Sequence, residues 1–438
     1  MRKSLFLTVI CILLVSAVLW AGGQQPGAAG APASGADLLL WTGSSASLMP
    51  VVQDLIDTFQ KNNSNIKITY ETMPQGEMIT RMMPALAAKS GPDIVGGNQQ
   101  VYTPLVENGL VQPIPTSIVS DAYMKENYIP GADVGISFGK RYAVPTGVMG
   151  PVLYVNTELL AKAGITKMGD TWDEVFQNAS KLAIWNGSDL AQAGLSLITG
   201  PADAYTLMCL VYQQGGKFIT DNGKKCKFDT PEMLNAIRLA RSLYDKKLNM
   251  RGFLNNQESF QNGKSAAAVM WTWFGNTLLL NNPNLPWAAQ PMPRFKKEGP
   301  YGRSNSLSFH LLITTQVTGA KTEAAWKFWQ FASLDNVGRL AQAEGTVPTR
   351  KSNINDQWLN NRKDLTVLKT QIMDPKGGYT FPVSVPQPWL DGLAAICDTT
   401  IFTDKVLNED QIRAILRQHE NDMNLHLSQH NYPFSPDA

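Results

Sequence analysis

The side chains best suited to chemistry in this chain are indoles at the ends of predicted elements. Trp41 closes the apolar run 38–40. Trp271, Trp273 and Phe274 follow the run 266–270, and Trp389 follows Pro386-Gln387-Pro388. Flat rings stack on the apolar faces of sugar rings, while nearby amides and hydroxyls bond the sugar hydroxyls. The polar partners on the same elements are Ser44, Ser45, Gln75, Asn98, Gln99, Asn276 and Asn305. Together they offer reversible capture of a neutral polar ligand. A tryptophan at a strand end also serves as core packing, so both roles stay open for each indole.

Bond-making constellations are missing from the sequence. It contains no P-loop, no Gly-x-Gly-x-x-Gly and no His-Glu-x-x-His. An enzyme cleaving glycans would need two carboxylates facing one cleft, and the predicted strand ends supply no such pair. No catalytic residue, metal ion or cofactor is therefore expected. His310 lies in an apolar run and reads as a core residue. His426 and His430 have ligand spacing on a helix, but no carboxylate or thiol cluster accompanies them. Cationic residues are few at the predicted strand ends, with Arg303 the main exception, which disfavours a phosphate ligand.

The elements that must position these residues alternate. An apolar strand at 37–42 leads into a helix from Leu48, with apolar residues at helical spacing and Ser47 available as its cap. A strand at 66–70, a helix at 77–89 and a strand at 91–95 follow. The order β-α-β-α-β predicts a parallel sheet with right-handed crossovers and a ligand outside the carboxyl ends of the strands. Later helices are marked by Thr171-Trp172-Asp173-Glu174 as a capping box, by Thr230-Pro231, by an amphipathic stretch at 322–333, and by Asn408 with Gln411.

Between these halves, residues 142–156 hold Pro145, Gly147, Gly150 and Pro151 before an apolar run. Proline cannot donate a ladder hydrogen bond, and glycine takes φ values that other residues avoid. The segment reads as an extended hinge between two bodies rather than a strand within one sheet. Residues 146–150 are expected at the floor of the ligand cleft, and stiffening Gly147 or Gly150 is expected to alter closure more than stability.

Length and composition agree with a secreted two-domain protein. The chain has 438 residues, more than one core accommodates. Met1-Arg2-Lys3, the apolar run 5–20 and Ala21-Gly22-Gly23 form a secretory signal at 1–23. The Gly/Ala/Pro/Ser tract 24–36 reads as a flexible leader. The one cysteine near the cleavage point, Cys11, lies inside the apolar run, so a lipid anchor is not expected. Lys and Arg number 38 against 36 Asp and Glu, and loss of Arg2 and Lys3 leaves 36 of each. That neutral balance gives no basic surface for nucleic acid. Cys209, Cys226 and Cys397 are too few for a disulfide scaffold; a Cys209–Cys226 bridge and buried thiols are both open.

In order along the chain, several segments carry a resemblance. They are Asn62-Asn63 with Ile66-Lys67-Ile68, Ser90-Gly91-Pro92-Asp93-Ile94-Val95, Asn108-Gly109-Leu110-Val111, and Val144-Pro145 with Leu153-Tyr154-Val155-Asn156. Phe260-Gln261-Asn262-Gly263-Lys264, Ala325-Trp326-Lys327-Phe328 and Gly345-Thr346-Val347-Pro348-Thr349-Arg350 continue the series. The chain resembles extracellular solute-binding protein family 1, the maltose-binding-protein-like sugar-binding components of bacterial ABC transporters. The resemblance implies the α/β periplasmic-binding-protein type II fold, two α/β lobes joined by a three-crossing hinge. The crossings would fall at 143–150, 303–306 and 346–352, giving lobe 1 as 37–146 and 306–348 and lobe 2 as 147–305 and 349–430. It implies that Trp273 and Trp389 correspond to aromatics lining the sugar cleft, with Tyr205 near another. It also implies a carbohydrate ligand, a membrane permease as partner, a monomer, and a place in the periplasm or on the outer face of the cytoplasmic membrane. A polyol or glycerol-phosphodiester ligand, and a sensor docking on a membrane receptor, are the alternatives on the same scaffold.

Overall fold

The computed structural model describes residues 35–43, 47–129, 135–200, 203–220, 225–301, 306–307, 310–374 and 387–429. The expected signal, most of the leader, Ser44, Ser45, Arg303, Asn305 and His430 lie outside the described residues.

The first strand, Ala36–Thr42, begins within the stretch expected as leader, because Ala36 pairs with Ile66 and is buried. It runs parallel to Ile66–Thr72 on one side and to Ile94–Gly97 on the other. Helices Met49–Asn62 and Gln75–Ala87 make the crossovers. In the first, Val52, Leu55, Ile56 and Phe59 are buried at the predicted spacing. Its N-cap position is Leu48 with no side-chain cap bond, rather than Ser47, and Pro50 supplies the preset φ of the first turn. The Gly91-Pro92-Asp93 turn locks the sheet: the buried Asp93 carboxylate accepts from Leu39 N at 2.9 Å and from Lys321 Nζ at 2.9 Å. The sheet is mixed, not wholly parallel. Its edge strand is His310–Ile313, antiparallel to Ile94–Gly97. The predicted amphipathic helix is Ala320–Gln330, continued by a π turn, and it buries Ala325, Phe328, Trp329 and Ala332.

The second body is built on Pro151–Asn156, all six residues buried. It is the central strand between Ala267–Trp271 and Trp287–Gln290, antiparallel to both. Asn156 then caps the next helix, accepting from Glu158 N and Leu159 N at 3.1 Å. The capping box at Thr171 and Glu174 and the cap at Thr230 form as the sequence predicts. Cys209, Cys226 and Cys397 are buried thiols; no disulfide joins Cys209 to Cys226. Among the described residues, no helix is long and apolar enough to cross a membrane.

The segment 142–156 differs from its expectation as a strand-free crossing. Residues Gly147–Met149 are the middle of a three-stranded antiparallel sheet, between Ser306–Leu307 and Val347–Pro348. Pro145 and Pro151 flank this strand rather than interrupt it, so its donors stay available. The stretches expected as separate crossings are thus hydrogen-bonded to one another. Gly147 is required by close approach, not by backbone freedom: a Cβ there would lie 2.0 Å from Thr346 Oγ1 and 2.6 Å from Thr346 Cβ.

Buried apolar side chains gather separately around these sheets. One cluster holds Leu38, Leu40, Phe59, Ile94, Ile313 and Trp329. Another holds Leu153, Trp172, Leu207, Phe228, Val269 and Trp389. A further cluster, with Val148, Tyr154, Phe274, Leu278 and Val347, lies under the hinge sheet.

Candidate functional site

The parallel register brings the carboxyl ends of three strands together, with Trp41 opposite Glu71 and Val95, and Thr42 opposite Thr72 and Gly96. Helices therefore start at this same end. Gln75 and Gln99 are the first residues of their helices, and Asn98 caps the second by accepting from Gln100 N at 3.0 Å. Trp41 is buried, at 6% exposure, and its indole N–H has no hydrogen-bond partner among the described residues. The Arg81 guanidinium lies over its ring, 5.2 Å from the centroid. Arg81 also pairs with Glu77 at 3.2 Å, both side chains about half exposed, an arrangement worth little in stability. Thr42 Oγ1 and the Tyr70 hydroxyl share a hydrogen bond of 2.9 Å.

The second body contributes an aromatic ledge. Trp271 ends strand Ala267–Trp271, Thr272 turns the chain, and Trp273 begins helix Trp273–Asn281. Thr272 is fully buried and its N–H donates to Gly150 O at 3.2 Å, which sets the ledge beside the hinge segment. The indoles on either side of Thr272 are only partly buried. Tyr205 meets Trp271 edge to face, with centroids 6.2 Å apart and planes at 78°. Burial pushes the Tyr205 hydroxyl up to about 12, so it is a neutral donor and acceptor at physiological pH. Trp273 rests edge-on against the buried Phe274 at 6.0 Å. Partly exposed rings backed by fully buried ones form a rigid stacking surface.

Two predicted ligand residues are committed elsewhere. Trp389 is 1% exposed in the core of the second body, stacked on Phe228 at 6.2 Å, with its indole N–H donating to Cys226 Sγ at 3.3 Å. Helix Gln387–Thr400 turns this ring inward, so it is a packing residue and not part of a ligand wall. Asn276 uses both ends of its amide on protein: Nδ2 donates to Ala343 O at 2.8 Å and Oδ1 accepts from Arg362 Nη1. Both ends of its amide are thereby engaged by protein.

Arg81 was legible as a helical partner of Glu77 four residues earlier, just past the second strand. Arg362 and Asp364, buried beside the ledge, carry no such signal, since Arg-Lys-Asp looks like solvated surface. A separate cavity of about 780 Å³ opens between Tyr301, Asn355, Leu359 and Lys369. None of the predicted ligand residues lines it, and it lies on the 3₁₀ turn Gln357–Asn361 and helix Lys363–Ile372 rather than at the strand ends. Among the described residues, no His, Cys, Asp and Glu side chains gather in threes to hold a metal ion.

Comparison with known proteins adds to this geometry. Residues 42–336, more than half of the chain, match the family described as bacterial extracellular solute-binding protein. A binding protein of Brucella abortus is 22% identical over 350 residues, 77% of this chain and 82% of that one. The diacetylchitobiose binding protein DasA of Streptomyces coelicolor is 24% identical over 351 residues, 75% of this chain and 76% of that protein. Among solved structures, the chain is similar to the maltose/maltodextrin-binding domain MalE from Bdellovibrio bacteriovorus bound to maltotriose. The TM-score is 0.73 at 18% identity, over 90% of this chain and 100% of that chain. At such identity the likeness is one of fold.

Proposed function

The chain belongs to the bacterial extracellular solute-binding proteins and has their type II fold of two α/β lobes, and we propose that it captures a sugar or oligosaccharide by lobe closure. The observation that carries this reading is the ledge of Trp271, Trp273 and Tyr205, partly exposed rings on a buried aromatic base beside the hinge sheet. Lobe 1 is residues 37–146 and 306–348, and lobe 2 is residues 147–305 and 349–430. The separate clusters around Leu40 and around Leu153 support that division. A ligand touching both lobes makes all its contacts only in the closed form, so it shifts the equilibrium by its differential affinity for that form. Delivery to a permease of an ABC transporter, outside the cytoplasmic membrane, completes the reading.

Arg81 favours a second reading, a glycerol-phosphodiester whose phosphate meets this cation at the strand ends of lobe 1. Its existing partner Glu77 and the neutral rings of the ledge keep a neutral sugar first. Calorimetry and small-angle scattering of the purified protein with maltotriose, diacetylchitobiose, arabino-oligosaccharides, glycerol and glycerophosphocholine decide between them. Capture predicts binding of at least one saccharide with a smaller radius of gyration. Trp273→Ala is expected to weaken that binding roughly tenfold or more with little change in melting. Compaction with glycerophosphocholine alone would replace the sugar reading, and no compaction with any of them would end it.

A further inference from the structure

The buried polar chemistry nearest the aromatic ledge centres on Arg362 and Asp364, 8% and 0% exposed. Arg362 grips the carboxylate twice, Nε to Oδ1 at 3.0 Å and Nη2 to Oδ2 at 2.9 Å. The Tyr154 hydroxyl donates to the same Oδ2 at 2.8 Å. A buried ion pair is tolerable only when its remaining donors are also satisfied. Here those donors leave the pair in a defined direction. Nη2 also donates to Thr272 O at 3.2 Å, between the two ledge indoles. Nη1 donates to Asn276 Oδ1, one turn along the helix that Trp273 begins. Asn276 Nδ2 in turn donates to Ala343 O at 2.8 Å, at the end of helix Val337–Glu344.

This chain of bonds passes from one core to another. Ala343 belongs to the core cluster that holds Leu38, Leu40 and Leu340. The helix bearing Asn276 packs through Phe274 and Leu278 with Tyr154 and Val347. The bonds also close around Gly345, the left-handed residue (φ +73°) that opens the third crossing. A Cβ there would lie 3.1 Å from Asn276 Nδ2, 3.2 Å from Arg362 Nη2 and 3.2 Å from Thr272 O. Gly275 is hemmed in more closely still, with a Cβ falling 2.1 Å from Asp364 Oδ2.

We infer that Arg362 and Asn276 are positioning residues of the ligand site, holding the Trp271-Thr272-Trp273 ledge against the Gly345 pivot. The ledge is then held to its own lobe through Thr272 O and across to lobe 1 through Ala343 O, so closure brings the indoles to the same place each time. The inference rests on the sugar-capture reading for its purpose, but not for its structural content.

The test uses the full-length protein and Asn276→Asp, which still accepts from Arg362 and can no longer donate to Ala343 O. Hydrogen exchange at 271–281 and small-angle scattering are recorded without ligand, and maltotriose and diacetylchitobiose affinities by calorimetry. The variant is expected to exchange these amides roughly tenfold faster, consistent with loss of one hydrogen bond. Its ligand-free radius of gyration is expected to rise, while its denaturation midpoint stays near that of the wild type. Affinity for whichever saccharide the wild type binds falls by a similar factor. Arg362→Lys, which keeps the charge but loses the fork, is expected to shift exchange and radius in the same direction. Unchanged exchange and unchanged radius in both variants would overturn the positioning role. A wild type that ignores every saccharide of the panel above while its variants still loosen would sink the capture reading and leave the positioning role standing.

Discussion

Trp273 and Trp389 are the same residue in different surroundings. Each follows an apolar or proline-rich segment and sits at a helix start, so local sequence treats them alike. What separates them is where the helix lands: Trp273 faces outward from a buried Phe274, while Trp389 is enclosed by Phe218, Phe228 and Cys226. That difference is tertiary, and no spacing rule reports it. Truncating Trp389 to Ala should cost about 3–5 kcal/mol of stability through the cavity it leaves, seen as a lower urea midpoint with an unchanged slope. Any sugar affinity measured well below that midpoint should persist. A stable Trp389→Ala protein that has lost binding would return the residue to the ligand wall. Tyr205 illustrates the opposite case, since only its pairing with Trp271 in space joins it to the aromatic ledge.

At the scale of elements, caps and periodicities were the legible features. Thr171, Thr230 and Asn408 each start a helix through the expected side-chain bond because capping is a local interaction. Strand pairing is not local. Proline and glycine at 145–151 suggested a free-running hinge, but Gly147–Met149 finds partners far along the chain in Ser306–Leu307 and Val347–Pro348. The role of Gly147 changes accordingly. Thr346 is fully buried and its hydroxyl donates to Ala341 O at 3.2 Å, so it cannot yield to a methyl group placed 2.0 Å away. Gly147→Ala should therefore destabilise the fold by about 1–3 kcal/mol through overpacking, measured by urea denaturation. A Gly147→Ala protein with wild-type stability and altered lobe closure would restore the flexible-hinge account.

At the scale of the whole molecule, the β-α-β-α-β order announced the parallel part of the first sheet, because crossover handedness constrains it. It could not announce the antiparallel edge strand His310–Ile313, which returns only after the second body is built. Nor did it announce Asp203, a partly enclosed carboxyl that spans the interior of that body. Its Oδ2 accepts from Thr199 N at 2.7 Å and Thr199 Oγ1 at 3.2 Å, with Asn256 Nδ2 at 3.4 Å. Desolvation outweighs these bonds and raises its pKa from 3.8 to about 6. The unfolded chain therefore releases this proton first as pH rises, and the folded protein retains it. Stability from this group is complete below pH 3.8, declines through the interval up to about 6, and is flat above it. The two-unit gap corresponds to no more than about 3 kcal/mol. Asp203→Asn keeps an acceptor for Thr199 and removes the proton. Its stability relative to wild type should be near equal at acid pH and should grow in its favour up to pH 6. Urea midpoints of the two proteins across this range test the sign, and a difference that does not vary with pH would mean that the carboxyl titrates alike in both states.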